Sequence, residues 1–332
     1  MTATATATGA DCRLELMGTR IRILVGPATR PGCRAPAAAA ERVERFLRAY
    51  DRALSRFKAD SELCALNADP RAVVPASDLL RSAISAAIAA ATMSDGLVDP
   101  TLLDELVSAG YRDSWDGSRR LNLEATMPAV AAPRHPARPN ARSRWREIAV
   151  DDRAGTITRP PGVRIDTGGT GKGHAADLAG TLLDGYAHWA VDCGGDVRIG
   201  GDPAAVRRVD IEHPFTGELI DGFHVGDGAV ATSGLRSRIW RDSAGTVGHH
   251  LLDPATGRPS FTGLIAVTAL APTGVEAEAL AKTALLSGPE SARAVLARHG
   301  GVTFGERGEM ERIGAPPARP AIRLRVTDRR AA

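Results

Sequence analysis

A few short stretches of the chain combine residue types that do chemistry. In Asp166-Thr-Gly-Gly-Thr-Gly-Lys172-Gly173, small residues are bracketed by one carboxylate and one ammonium. Glycines at a helix start let backbone N–H groups close on an anion, and the helix dipole favours negative charge there. Phosphate is the expected ligand. A Walker A loop is excluded, because Gly173 stands where Ser or Thr should follow the lysine and Asp166 where the first glycine should be. Gly171-Lys-Gly173-His-Ala-Ala176 does satisfy G-x-G-x-x-A, with Asp192 further on at a strand end, so a dinucleotide-binding fingerprint stays open beside a ligand-free tight turn.

The second stretch is Asp192-Cys-Gly194-Gly195-Asp196. Two glycine turns at one sheet edge would form a cleft; the plain alternative is a hairpin turn capped by an aspartate. Third, His249-His250-Leu251-Leu-Asp253-Pro-Ala-Thr-Gly257 sets histidines just before an Asp-Pro and Thr-Gly turn, as a general base or as a structural side chain. Fourth, Glu278 and Lys282 stand one helical turn apart, which taken alone is an i,i+4 ion pair worth a few tenths of a kcal/mol. Gly96-Leu97-Val98-Asp99-Pro-Thr101 joins two helices, and capping alone would explain it.

The elements that must position these residues follow from periodicity. Leu14 to Val25 alternates as a strand, and Ala37 to Leu54 carries Val43, Leu47, Tyr50 and Leu54 at helical spacing. Ser77 caps a second helix, and a third follows Pro100. Residues 128–144, rich in proline and arginine without periodic apolar residues, read as a flexible surface insertion. Strands are expected over Trp145 to Val150 and Gly155 to Ile165, a helix from His174 to Tyr186 and a strand over Trp189 to Asp192, in a βαβ-like rhythm. An antiparallel meander follows. Thr273 and Glu276 form a capping box for a helix to Ser287, and Pro289 opens another to Arg298.

Composition narrows the classes. With 332 residues, 43% of them hydrophobic and 24% charged, the chain can bury a sizeable core and is neither fibrous nor wholly disordered. Six Phe, four Trp and three Tyr are too few for the stacking platforms that hold single-stranded nucleic acid. Four cysteines without a C-x-x-C pair predict reduced thiols. No signal-peptide pattern opens the sequence and no stretch of about 18 apolar residues occurs, so a cytoplasmic protein without a transmembrane segment is expected.

Taken in order, the chain resembles the ApbE family, the FAD:protein FMN transferases. The resemblance rests on Met17-Gly18-Thr19, Ser55-Arg56-Phe57, Asp60-Ser-Glu-Leu63, Asn67, Gly96 to Thr101, Asp166 to Gly173, Gly194-Gly195-Asp196, Ala231-Thr-Ser-Gly234, His250 to Gly257 and Ala271-Pro272 through Gly288. It implies a two-lobed α/β (α+β) domain whose mixed, largely antiparallel sheet is flanked by helices. FAD would lie between the lobes, with magnesium at its diphosphate. FMN would pass to a Thr or Ser hydroxyl of an acceptor protein, with AMP released. By motif position, Met17, Phe57, Leu97, Val98, Asp99, Asp166, Lys172, Gly194, Gly195, Asp196, His250 and Leu251 would contact FAD. His250 would take the hydroxyl proton, and Lys172 would serve the phosphates. The metal positions fall on the Gly169 carbonyl, Glu278 and Lys282.

At the late helix the sequence departs from the family pattern. Glu278 replaces the usual aspartate, and Lys282 stands where an oxygen ligand belongs. A protonated lysine cannot ligate a metal, so either Glu278, Gly169 and substrate phosphates hold the ion or the ammonium takes part of its role. Thr283, one residue off, points about 100° around the helix. Alternative functions are a non-catalytic FAD-binding protein, a FAD pyrophosphatase, or an NAD(P)-dependent oxidoreductase built on Asp192. The expected organisation is a disordered leader over residues 1–13, one domain over 14–312 and a tail over 313–332.

Overall fold

The computed structural model of the chain describes residues 2–6, 9–114, 118, 121–242 and 245–314; the tail expected beyond Gly314 lies outside them. One sheet spans the molecule. Its nine strands run in the spatial order Thr2–Thr6, Gly9–Leu16, Thr19–Val25, His188–Cys193, Asp196–Gly201, Gly228–Gly234, Leu264–Ala271, Gly301–Gly305 and Met310–Ile313. Among the described residues every pairing in it is antiparallel, in keeping with the largely antiparallel sheet expected.

Two apolar cores share this sheet. On one half, Ile21, Ile23 and Val191 pack under helices Pro36–Leu54 and Asp78–Met93, where Val43, Leu47 and Ile84 are fully buried at about 2 kcal/mol each. On the other half, Ile265, Val267 and Val302 pack against Leu285 and Leu296 of the long helix Gly274–Leu296. Two cores on one sheet give the two lobes.

Two helices that position the site start at side-chain caps. Ser77 Oγ accepts from Leu80 N, and Thr273 accepts from Glu276 N. The late helix breaks at Gly288, whose φ of 78° is left-handed, and Pro289 then opens the second arm, as the sequence suggested. Its first arm approaches the sheet closely because the contact is alanine on alanine, Ala277 against Ala229, Ala231 and Ala271.

Four expectations are corrected. Strand structure begins at Gly9 rather than Leu14, and Thr2–Thr6 pairs beside it in place of a disordered leader; alternating threonine suits a pleated strand. Residues 128–144 have little regular structure but are tied down: Ala137 is buried, its N–H donates to Leu286 O, and Arg138 N–H donates to Asp253. Trp145 sits in a 3₁₀ turn, Arg144–Glu147, with the strand starting only at Ala149. Only Thr156–Thr158 of the stretch Gly155 to Ile165 is a strand, because Ile165 pairs both its backbone groups with the Asn67 side chain, at 2.7 and 2.8 Å, instead of with a ladder.

That last correction removes the dinucleotide-binding fingerprint. The glycine loop follows an irregular segment, and the strand after its helix lies antiparallel to both neighbours, so no parallel βαβ unit exists there. Asp192 accepts from Gly195 N at 2.8 Å and closes the glycine turn itself.

Candidate active site

The glycine loop ends in the helix Gly171–Thr181, which crosses the start of the late helix at two glycines. A Cβ on Gly173 would lie 2.3 Å from Gly274 O, and one on Gly274 would lie 2.6 Å from Gly173 O. Only glycine permits this approach. The two helices then cap one another. Asp177 of the first accepts from Gly274 N at 2.7 Å and Val275 N at 3.0 Å of the second; Glu278 of the second accepts from Gly173 N at 2.9 Å of the first. A carboxylate at each N-terminus satisfies orphan N–H groups and complements the dipole.

This crossing gathers four charges between the lobes. Lys172 Nζ is hydrogen-bonded to Asp196 and lies 3.7 Å from Glu278 Oε1, while Lys282 Nζ lies 2.8 Å from the same Glu278 oxygen. Glu278 is completely buried and Asp196 nearly so. Burial pushes Glu278 up, but the ammonium groups of Lys282 and Lys172 outweigh it and hold the carboxyl below its ordinary value. Lys172 is the mirror case: burial lowers it, and Asp196 with Glu278 more than restores it. Asp196 is raised, by burial first, against the pull of Lys172. Its Oδ1 is buried without a partner.

The other expected residues converge on the same region. Gly194 packs on the hairpin Met17-Gly18-Thr19: a Cβ there would lie 2.0 Å from Thr19 Oγ1. Met17 takes a φ of 55° at the hairpin tip. At Gly195 an added Cβ would meet nothing, so the turn is open on that side. A Cβ added at Gly169 would come within 3.5 Å of Val98 Cγ1, and Pro100 O accepts from Asp166 N. Leu97 is half-buried against the second core. Asp99 accepts from both the backbone and hydroxyl of Thr101, so it acts as a turn cap, and burial raises its pKa. Asp166 accepts from Gly168 N at 2.8 Å and pairs with Arg56 at 3.3 Å. Leu251 is buried, its N–H donating to His249 Nδ1.

An aromatic wall completes the site, in which the expected Phe57 is joined by Tyr111 and Trp240, both missed by sequence reading. Tyr111 stacks on Trp240 with ring centroids 5.8 Å apart and meets Phe57 edge-on at 5.5 Å. Arg56 lies over both Phe57 and Tyr111, and Arg238 over Tyr111. His250 meets Tyr111 at 6.4 Å, and its Nδ1 is buried without a partner. Burial, then the charge of Arg238, then His249, Lys282 and Lys172 hold His250 well below the ordinary imidazole value. Among the described residues Arg238 has no carboxylate partner. A guanidinium, two ammonium groups and a neutral imidazole beside stacked rings can bind an anionic, aromatic ligand and accept a proton from it or its partner.

A magnesium ion does not fit this arrangement. Both Glu278 oxygens are already held, one by Gly173 N and one by Lys282. An ion at about 2.1 Å from Oε1 would lie within about 5 Å of the Lys282 ammonium, a repulsion of roughly 7 kcal/mol at an effective dielectric of 20. No three His, Cys, Asp or Glu side chains among the described residues are placed to hold a metal. Lys282 therefore occupies the expected ligand position as a counter-ion, not a ligand. Two surface cavities lie apart from the charges: one of about 390 Å³ beside Trp189 and Arg198, and one of about 400 Å³ between Glu105 and Gly257.

Comparison with known proteins gives a single family. A profile of the ApbE family matches residues 17–304. The FAD:protein FMN transferase of Treponema pallidum is 31% identical over 316 residues, covering 87% of this chain and 82% of that protein. The enzyme of the same name from Salmonella typhimurium is 28% identical over 277 residues, covering 79% and 75%. The crystal structure of the ApbE protein of Thermotoga maritima superposes with a TM-score of 0.72 at 26% identity, covering 92% of this chain and 97% of that one.

Proposed function

The chain belongs to the ApbE family, and from that premise we propose that it is a FAD:protein FMN transferase whose catalytic unit spans residues 14–312. A Thr or Ser hydroxyl oxygen of an acceptor protein attacks the FMN phosphorus of FAD. The new P–O bond forms as the bond to the bridging oxygen breaks; AMP leaves with that oxygen, and the hydroxyl proton passes to His250. Such a displacement needs placement and charge neutralisation more than covalent help.

The observation that carries this reading is the placement of Arg238 and the unpartnered His250 nitrogen against the Tyr111 ring stack. Lys172, held charged by Asp196 and Glu278, is the residue for the diphosphate. Tyr111, Trp240 and Phe57 offer faces to a flavin or adenine ring. Burial first, and then the charge of Arg238, keep His250 neutral and able to accept a proton, and the negative diphosphate would raise its basicity when bound. Magnesium, expected from the family, has no place in this proposal as the side chains stand. We place the reaction in the cytoplasm, on the support of four cysteines that are all free thiols. Among the described residues no helix is long and apolar enough to cross a membrane.

Incubation with FAD and a threonine-bearing acceptor peptide tests the reading. A fluorescent peptide adduct and an equal amount of AMP are expected. AMP without adduct would favour the pyrophosphatase reading, and neither product would end the transferase reading.

A further inference from the structure

We propose that Lys282 is the resident cation of this site: its ammonium stands in for a divalent ion, so FAD binds between Lys172, Lys282 and Arg238 without a metal. The inference rests on the flavin reading above and deepens it by naming what neutralises the diphosphate.

Three observations carry it. Glu278 Oε1 and Oε2 are both engaged by donors of this chain, at 2.8 Å by Lys282 Nζ and at 2.9 Å by Gly173 N, and the side chain is completely buried, so an ion would enter only beside the ammonium or by displacing it. The i,i+4 spacing of Glu278 and Lys282 on a straight helical arm puts the ammonium there by construction, with glutamate on the N-terminal side as the favourable order requires. Finally, the half-buried Arg238 lies over the Tyr111 ring and has no carboxylate partner among the described residues, whereas Lys172 and Lys282 each hold one. A guanidinium so placed is open to an anionic ligand. About one tenth of the Lys282 side chain is open, so its Nζ can share itself between Glu278 and a bound phosphate oxygen.

The test is FAD affinity by calorimetry, in excess EDTA and in excess MgCl₂. The wild-type protein is expected to bind FAD with dissociation constants within about twofold of each other in the two buffers. Lys282→Thr, which removes the ammonium and frees Glu278, should bind at least about tenfold more weakly in EDTA and regain affinity in MgCl₂. Lys282→Arg keeps a cation and should keep its affinity in EDTA. A readout independent of flavin is Mn²⁺ binding followed by electron paramagnetic resonance: none to the wild type, one ion to Lys282→Thr. Should Lys282→Thr fail to fold by circular dichroism, Lys282→Met must show the loss of affinity in EDTA. Wild-type protein that binds FAD only with MgCl₂, or that binds Mn²⁺ stoichiometrically, overturns the inference and leaves the transferase reading standing. Folded protein that binds FAD in neither buffer overturns both.

Discussion

Alanine at Gly173 should destabilise the protein even though it sits in a helix. In an open helix the change would stabilise by about 0.5–1 kcal/mol, since glycine loses the most backbone freedom on folding. Here the new Cβ would stand 2.3 Å from Gly274 O, 2.4 Å from Gly274 C and 2.8 Å from Val275 N. All three are backbone atoms, so no side chain can swing aside; one helix must move by about an ångström. Overpacking of that kind costs about 1–3 kcal/mol, and the shift also stretches the bonds from Gly173 N to Glu278 and from Gly274 N to Asp177. A net loss of about 3 kcal/mol is expected, visible as a fall in melting temperature of roughly 5–10 °C. Gly274→Ala makes the reciprocal clash, at 2.6 Å from Gly173 O. Once the helices have parted for one methyl, the second has less to push against, so the double variant should cost less than the two single losses together, by about 1 kcal/mol or more. Thermal melts of the four proteins close this cycle. A Gly173→Ala protein as stable as wild type, or single losses that add fully, would refute the crossing geometry.

Other predictions bear on chemistry and pH. Lys172→Ala should slow AMP release at least about tenfold, or 1.4 kcal/mol of barrier, because a cation at the diphosphate is lost; an unchanged rate removes Lys172 from the mechanism. His250→Ala should lower kcat by about 10²- to 10⁴-fold with FAD affinity nearly unchanged, as expected of a general base. Since His250 is held well below the ordinary imidazole value, its base form already predominates in the free enzyme at neutral pH. The kcat/KM profile should therefore have no ascending limb near about pH 6.5, and such a limb vanishing in His250→Ala contradicts the assignment. His249, wholly buried and pushed down to about 3, binds a proton in the unfolded chain near 6.5 but not in the fold. Stability should fall as pH drops through that window, by on the order of 2 kcal/mol between pH 7 and 5. His249→Asn, which keeps an acceptor for Leu251 N, should flatten the slope in denaturant titrations, and an unaltered slope counts against the buried neutral ring.

What the sequence carried was local. The capping box at Thr273, the split of the late helix at Pro289 and the glycine turns depend on a few adjacent residues, and each can be read without knowing the fold. Pairings across the chain were not legible. Tyr111 and Trp240 come from segments with no shared pattern, and neither aromatic residue announces the stack they form. Arg238 lies in a stretch that reads only as a strand. Asp177, on a helix face otherwise read as amphipathic, gave no sign that it caps a second helix. The stretch ending at Ile165 was misread because alternation reports which side chains are buried, not which group receives the backbone hydrogen bonds; the Asn67 amide does so here. Gly173 was noticed as part of an anion loop, whereas its lack of a side chain serves the contact with Gly274.

The reciprocal caps join positions about a hundred residues apart, Gly173 with Glu278 and Asp177 with Gly274. Closing so long a loop is slow, and the two helix ends bring no reward until both arrive. During synthesis the first lobe can collapse while Glu278 has yet to be made, leaving the Gly173 amide unclaimed. The charged crossing is thus a late product of folding, and no shortened protein ending before the second helix could inherit it.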